Sequence, residues 1–227
     1  WMYYDNPGAS AAANPADVWD PYFTGVWHLA EDEGTTAFDS GGFAHDGAYQ
    51  NGVTQGQPGG FGDLAASFDG SDDRVDLGGL DVVGAQGNDG MTIEVFARPV
   101  DHDSDDRLVS KADGTSDSNH WWMLSTYDDG RRLRFRLKAG GSTSSLVGDS
   151  DRVTNEVWFY GGATYDGSQM RLFFDGQPHG SQLKLGTVDV HDGKAAWIGA
   201  NPDSSKWWDG DIGEVRISRI ARSPAWI

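Results

Sequence analysis

The dipeptide Asp-Gly occurs nine times in this chain, beginning at positions 46, 69, 89, 113, 129, 166, 175, 192 and 209. Asp and Gly accept the left-handed backbone of a tight hairpin turn at little steric cost, so a chain punctuated this often is suited to short antiparallel strands. Between the turn signals lie alternating stretches: VWHLA (26–30), RVDLG (74–78), MTIEVFARP (91–99), RLVSK (107–111), HWWMLSTY (120–127), RRLRFRLK (131–138), VWFYGGATY (157–165), MRLFFDG (170–176), AAWIGA (195–200) and DIGEVRIS (211–218). No stretch keeps a 3.6-residue apolar period over a useful length. The expected fold is all-β, a two-sheet antiparallel sandwich or jelly roll.

At 227 residues the chain can bury the core of one such sandwich. It has no Cys, so disulfides and thiolate metal sites are excluded. No apolar run approaches the ~18 residues of a membrane-spanning helix, and no membrane insertion is expected. The formal net charge is −18, and 30 of the 35 acids are Asp, a turn former, while Arg (12) outnumbers Lys (5). Such a charge keeps a protein dissolved in salty surroundings, and its field repels phosphate, so nucleic acid is not an expected partner.

Residues 1–20, WMYYDNPGASAAANPADVWD, read as a short aromatic strand and an Ala/Ser/Asn/Pro connector. With Trp rather than Met at position 1, they suggest the tail of a preceding module in a longer protein, with the main domain spanning 21–227. An N-terminal strand packed on the sandwich is the alternative.

From Gly25 onward the chain resembles the laminin-G-like, concanavalin A-like jelly-roll family. The resemblance rests on GVWHLAEDEGTTAFDSGGFAHDG, AASFDGSDDRVDLG, MTIEVFARP, RLVSKADG, EVWFYGGATYDGSQMRLFFDGQPHG and WWDGDIGEVRISRIARSPAWI, in the family's order. One departure is Gly213, where the closing pattern usually has an acid before the Glu. The opening WMYYDNP resembles the end of a bacterial module found just upstream of such domains. The resemblance implies a secreted or surface-attached carbohydrate- or protein-binding module, extracellular or on the cell surface, often with bound calcium.

Catalysis has little support in the residues. Hydrolysis of a glycosidic bond needs two carboxylates flanking it, and the family's Glu-x-Asp-x-x-Glu strand is absent. Only Glu31, Glu33, Glu94, Glu156 and Glu214 are available. Glu94 shares a strand face with Arg98 and reads as half of an ion pair. No nucleophile elbow, phosphate loop or cysteine nucleophile is present.

The stretch RRLRFRLK gathers five basic residues in an acidic chain. Alternation puts Leu133, Phe135 and Leu137 on the core face and Arg132, Arg134, Arg136 and Lys138 on the other. Guanidinium forks suit carboxylates and sulfates. On HWWMLSTY, His120 and Trp122 share a face, and an outward Trp beside outward Arg would stack a sugar. Trp207 and Trp208 could rim the same site. The expected site is therefore Trp122, Arg134, Arg136, Trp207, Trp208 and His120, holding an anionic polysaccharide. The competing expectation is that each Arg pairs with a neighbouring acid, which would make the stripe solvated dressing.

For calcium, the resemblance implies Asp39 and Glu214 as ligands, with oxygens near Gly42 and His45, in a structural role. VDHDSDDR (100–107) offers Asp101, Asp103, Asp105 and Asp106 but lacks the Gly and distal Glu of a calcium loop, and reads as solvated acid. The leading expectation is a non-catalytic carbohydrate-binding module of a secreted multi-domain protein, alongside other domains of the same chain. The alternatives are an adhesion or structural bead, and a lyase or hydrolase without familiar motifs.

Overall fold

The computed structural model describes residues 18–82, 90–101 and 105–227. In chain order the strands are β1 (Phe23–Trp27), β2 (Thr36–Ala37), β3 (Gly47–Gln50), β4 (Thr54–Pro58), β5 (Leu64–Asp69), β6 (Arg74–Asp76), β7 (Met91–Asp101) and β8 (Arg107–Ala112). They continue with β9 (His120–Tyr127), β10 (Arg132–Ala139), β11 (Ser142–Val147), β12 (Phe159–Tyr165), β13 (Gln169–Phe174), β14 (Gln177–Leu183), β15 (Ala196–Ile198) and β16 (Asp209–Ser218). They form two antiparallel sheets. The first runs β14-β13-β12-β7-β16-β5-β4, with β1 also pairing β16; the second runs β11-β10-β9-β8-β15-β6-β3-β2. Among the described residues no helix is long and apolar enough to cross a membrane.

The turn signals act as their chemistry requires. Asp175 and Gly176 both take positive φ (48° and 73°) between β13 and β14. Asp128, Asp129 and Gly130 do the same between β9 and β10. Asp209-Gly210 is different: it opens β16, and the register shifts between the two residues, so here the pair makes a bulge rather than a turn.

Facing sides of the two sheets supply the core. Val95, Ala97, Ile212, Val215 and Ile217 from the first meet Leu124, Leu133, Phe135, Leu137 and Ile198 from the second. The N-terminal side is anchored where described: Arg222 from the C-terminal tail grips Asp20 through two hydrogen bonds of 2.5 and 2.8 Å. The proposed tail of a preceding module falls mostly on residues 1–17, outside the described residues.

Candidate functional site: a groove on the first sheet

The basic strand does alternate as expected, but its outer face is not open to solvent. Leu133, Phe135 and Leu137 are fully buried in the core. Arg134 and Arg136 are also buried, at 4 % and 6 % exposure. Arg134 ion-pairs with Asp105, and Arg136 Nη2 meets Asp117 Oδ1 at 2.8 Å. Arg107, fully buried from β8, reaches the same Asp105 at 2.5 Å. Arg132 is held by Asp151 at 2.9 Å, and Lys138 Nζ donates to the Ser118 carbonyl. The acids come from the loops at 105, 117 and 151, which close over a face that alternation alone leaves open.

Burial, reinforced by neighbouring guanidiniums, lowers Arg107 and Arg134 to about 9. His120 lies among them, its Nδ1 2.9 Å from the Ser116 carbonyl and 3.1 Å from Arg136 Nη1. Burial lowers it to about 4, so the imidazole is neutral at pH 7. This is an intramolecular polar network, and the expected anion site at Arg134, Arg136 and His120 is not free to bind.

The tryptophans also lie elsewhere than expected. Trp122 pairs in register with Leu137 and is 1 % exposed, so it belongs to the core; its neighbour Trp121 turns to the outer face beneath Lys138, whose Nζ is 4.9 Å from the ring. Trp208 is fully buried. Of the named indoles only Trp207 is half-buried, stacked on Trp197 with centroids 6.4 Å apart.

The expected calcium ligands each have protein partners. Asp39 accepts backbone N–H bonds from Val26 (2.8 Å), Gly41 (2.7 Å) and His45 (2.9 Å), which occupy both of its oxygens. Gly42 and His45 are exposed, and the His45 carbonyl accepts from the Trp27 indole. Glu214 instead meets His28 Nδ1 at 2.9 Å and Arg216. Among the described residues Asp39, His45 and Glu214 form no common ligand set. At the second acidic locus Asp103 lies outside the described residues, while Asp105 is not merely solvated: it carries Arg107, Arg134 and Lys206.

A different face offers a concave site. On the outer side of the first sheet, a groove of about 410 Å³ is floored by Glu94 and Phe96 of β7, Tyr160 of β12 and Glu214 and Arg216 of β16. The loop before β5 contributes Phe61 and Asp63, the β13–β14 turn Asp175 and Gly176, and the C-terminus Trp226 and Ile227. The floor follows from register: Phe96 sits opposite Tyr160 on one side and Glu214 on the other, and Glu94 sits opposite Arg216. The register slips between Ile212 and Glu214, making Gly213 a bulge residue. A Cβ at Gly213 would lie 3.4 Å from the Trp158 ring and 3.5 Å from the Phe96 ring, in ordinary contact with both.

Three rings stack along one side of the groove. Phe61 and Phe96 lie 4.6 Å apart at 16°, and Phe96 and Trp158 lie 4.7 Å apart at 14°. Gly60 lets the loop press down on them, since a Cβ there would fall 2.5 Å from the Phe96 ring. Phe61, at 81 % exposure, leaves its other face to solvent. Large rings held flat and open this way mark a contact surface.

The polar groups of the floor are distinct in state. Glu94 is 2 % exposed; its Oε1 accepts the Tyr160 hydroxyl at 2.7 Å and lies 3.5 Å from Arg216 Nη1, while its buried Oε2 has no partner. Burial and the Glu94 charge raise the Tyr160 phenol, keeping it protonated as a donor. Burial works to raise Glu214, but bonds from His28 and Arg216 outweigh it and hold it below the ordinary range. Glu94 is half of an ion pair on a sheet face, as expected, but with Arg216 rather than Arg98, which is taken by Asp211 (2.6 Å) and Glu156 (2.8 Å). A ligand lying with its apolar face on the exposed ring of Phe61 would bring its hydroxyls toward the polar floor made by Glu94, Tyr160 and Arg216.

A model of the family described as the concanavalin A-like lectin/glucanases superfamily matches residues 68–227. Among solved structures the chain is similar to domain 4 of AbnA, a GH43 extracellular arabinanase from Geobacillus stearothermophilus, in complex with arabinotriose: TM-score 0.63, 16 % identity, 89 % of this chain and 95 % of that one. It is similar to the binding domain of Paraclostridial Mosquitocidal Protein 1, with TM-score 0.63, 13 % identity, and 94 % and 51 % of the two chains covered. It also resembles the binding domain of botulinum neurotoxin serotype D, with TM-score 0.63, 14 % identity and 90 % and 50 % covered. The chain spans about half the length of these two toxin domains. At such identities the likeness is one of fold. Curated proteins give no match.

Proposed function

The chain belongs to the concanavalin A-like lectin/glucanase superfamily, and from that premise we propose that it is a non-catalytic carbohydrate-binding module of a secreted protein, with the groove on the first sheet as its glycan site. One observation carries the reading: Glu94, whose Oε2 has no hydrogen-bond partner, lines a groove beside Phe61 and Phe96, whose ring stack continues to Trp158. A buried carboxylate oxygen without a donor is costly, and a sugar hydroxyl removes that cost. Stacking on Phe61 supplies apolar contact, and Arg216 and Tyr160 fix orientation.

The ligand is a neutral glycan chain. An acidic polysaccharide would meet Asp63, Glu94, Asp175 and Glu214 against the one cation Arg216 in the groove lining, and like charges repel at this range. The arginines that would favour an acidic chain are engaged by Asp105 and Asp117. Binding rather than hydrolysis is supported by Glu214, whose bonds to His28 and Arg216 keep it ionised and unsuited to donate a proton. The likeness to an arabinanase domain solved with arabinotriose makes arabino-oligosaccharides the first ligands to try.

Affinity electrophoresis against arabinan, xylan, galactan, alginate and pectin, with reducing ends assayed in parallel, tests the reading. Retention by a neutral polymer without release of reducing ends is expected. Retention by the acidic polymers alone, or by none, would overturn it, and polymer cleavage would show an enzyme.

A further inference from the structure

Asp20-Pro21-Tyr22-Phe23 carries the chemistry of a tight turn: Asp at the first position can accept the amide two residues on, and Pro at the second has its φ already set. The structure forms that turn. The Phe23 amide donates to the Asp20 carbonyl at 3.2 Å, and the Tyr22 amide donates to Asp20 Oδ1 at 2.9 Å. Two arginines of the C-terminal segment hold it down: Arg222 grips the Asp20 carboxylate, and Arg219 Nη2 donates to the Pro21 carbonyl at 2.8 Å. The turn leads into β1, which pairs with β16 and sets Val26 opposite Arg216. The chain reverses here, and Trp19, one residue before the turn, comes to lie over Arg216, with its ring centre 5.0 Å from the guanidinium carbon.

Trp19 is itself held in place. It is half-buried, edge-on to the buried Phe23 ring at 5.0 Å and 74°, and 5.8 Å from the His28 ring. It does not line the groove, but Arg216 does, as the one cation of that lining. Arg216 Nε bonds to Glu214, and its Nη1 lies 3.5 Å from Glu94 Oε1. Those carboxylates hold edges of the guanidinium plane, while the indole covers a face of it, where the attraction of a cation to an aromatic ring acts. His28, also against this indole, meets Glu214 Oε2 at 2.9 Å. One ring therefore packs against both side chains that hold Glu214.

We propose that Trp19 is a positioning residue of the glycan groove: it holds the Arg216 guanidinium in the orientation that meets a sugar, and so makes the segment before β1 part of the binding site. The inference rests on the groove reading above. A loose arginine loses rotamer freedom when it grips a ligand, and that loss opposes affinity. A guanidinium pinned beforehand by an aromatic face and two carboxylates has less freedom to lose. Phe61 meets the sugar itself, whereas Trp19 acts through Arg216. Trp19 also lies well before residue 68, where the family match begins, so the groove depends on a residue outside the matched segment.

The test compares wild type with Trp19→Ala, Trp19→Leu and Trp19→Phe by affinity electrophoresis on arabinan, xylan and galactan, and by the ¹⁵N signal of Arg216 Nε in the ligand-free protein. Trp19→Ala and Trp19→Leu should weaken retention about threefold to tenfold and move the Nε signal toward that of a solvated arginine, while Trp19→Phe should stay within about twofold in retention. Leu fills the space without an aromatic face, so it separates packing from the contact with the cation. If Trp19→Ala does not fold, the Leu and Phe variants decide. Undiminished retention in Trp19→Leu would overturn the inference, as would an Nε signal that no variant moves, or a loss in Trp19→Phe as large as in Trp19→Leu. Wild-type retention on none of the three polymers would bring down the groove and this inference with it, whereas wild-type retention that Trp19→Leu matches brings down the inference alone.

Discussion

Tyr160 donates a hydrogen bond from its hydroxyl to Oε1 of Glu94 at 2.7 Å and leaves the other oxygen of that carboxylate buried without a donor. The tyrosine therefore orients Glu94 without satisfying it. Replacing Glu94 by Gln keeps the shape and swaps an acceptor for an amide. Hydrogen bonds to charged groups are worth about 1.5–3 kcal/mol, so Glu94→Gln should lose roughly tenfold to a hundredfold in glycan affinity by titration calorimetry. Tyr160→Phe should lose less, because it removes only the orienting bond.

Phe61 separates binding from folding. At 81 % exposure its ring contributes little to the core. Phe61→Ala should leave stability within about 0.5 kcal/mol in urea denaturation. It should still weaken glycan binding by about 1 kcal/mol or more, the scale of an aromatic contact. Unchanged affinity would remove the ring stack from the site.

Arg134 should behave in the opposite way. It is buried, ion-paired with Asp105 and lies 4.7 Å over the Tyr127 ring. Arg134→Ala should cost about 1–3 kcal/mol of stability through lost packing and charge contact, with glycan affinity of the folded variant unchanged.

His120 makes stability depend on pH. Its folded-state value is lowered from 6.5 to about 4 by burial, with Arg136 and Arg107 nearby opposing the charge and Asn201 and the Ser116 carbonyl favouring it. The unfolded chain takes up a proton as pH falls through 6.5, while the folded state resists until about 4. Stability should therefore fall between these values by roughly 3 kcal/mol from this group and level off below. Urea titrations of wild type and His120→Gln, taken as a difference, isolate the histidine from the carboxylates. Parallel pH curves would contradict it.

The contrast between Arg134 and Glu94 shows what alternation can and cannot tell. HWWMLSTY begins and ends as β9 does, and Leu133, Phe135 and Leu137 are core, because period-two patterning reports which residues share a face. It does not report whether the other face is covered, and here loops carrying Asp105 and Asp117 cover it. Trp122 was legible in principle: it shares parity with Leu124, an apolar residue that needed burial. The strands with no clear pattern include β2, β4, β11 and β14, which form the four sheet edges, where polar, Gly-containing or very short segments discourage further pairing. The groove had no local signature at all. Phe61, Phe96, Trp158 and Trp226 come from four distant segments, and only Phe96 lies in a strand, so the tertiary fold alone brings them to one side of the sheet.

The central claim is that the glycan lies on the first sheet rather than over the arginines of the second. Titration of ¹⁵N-labelled protein with neutral oligosaccharides, arabinotriose first, reads this directly from the tryptophan indole signals. The account predicts shifts at Trp158 and Trp226 and at the amides of Glu94, Phe96 and Tyr160, with Trp121 and Trp207 unmoved. Shifts centred on Trp121, Trp207 and Lys138, or none with any neutral sugar, would contradict it.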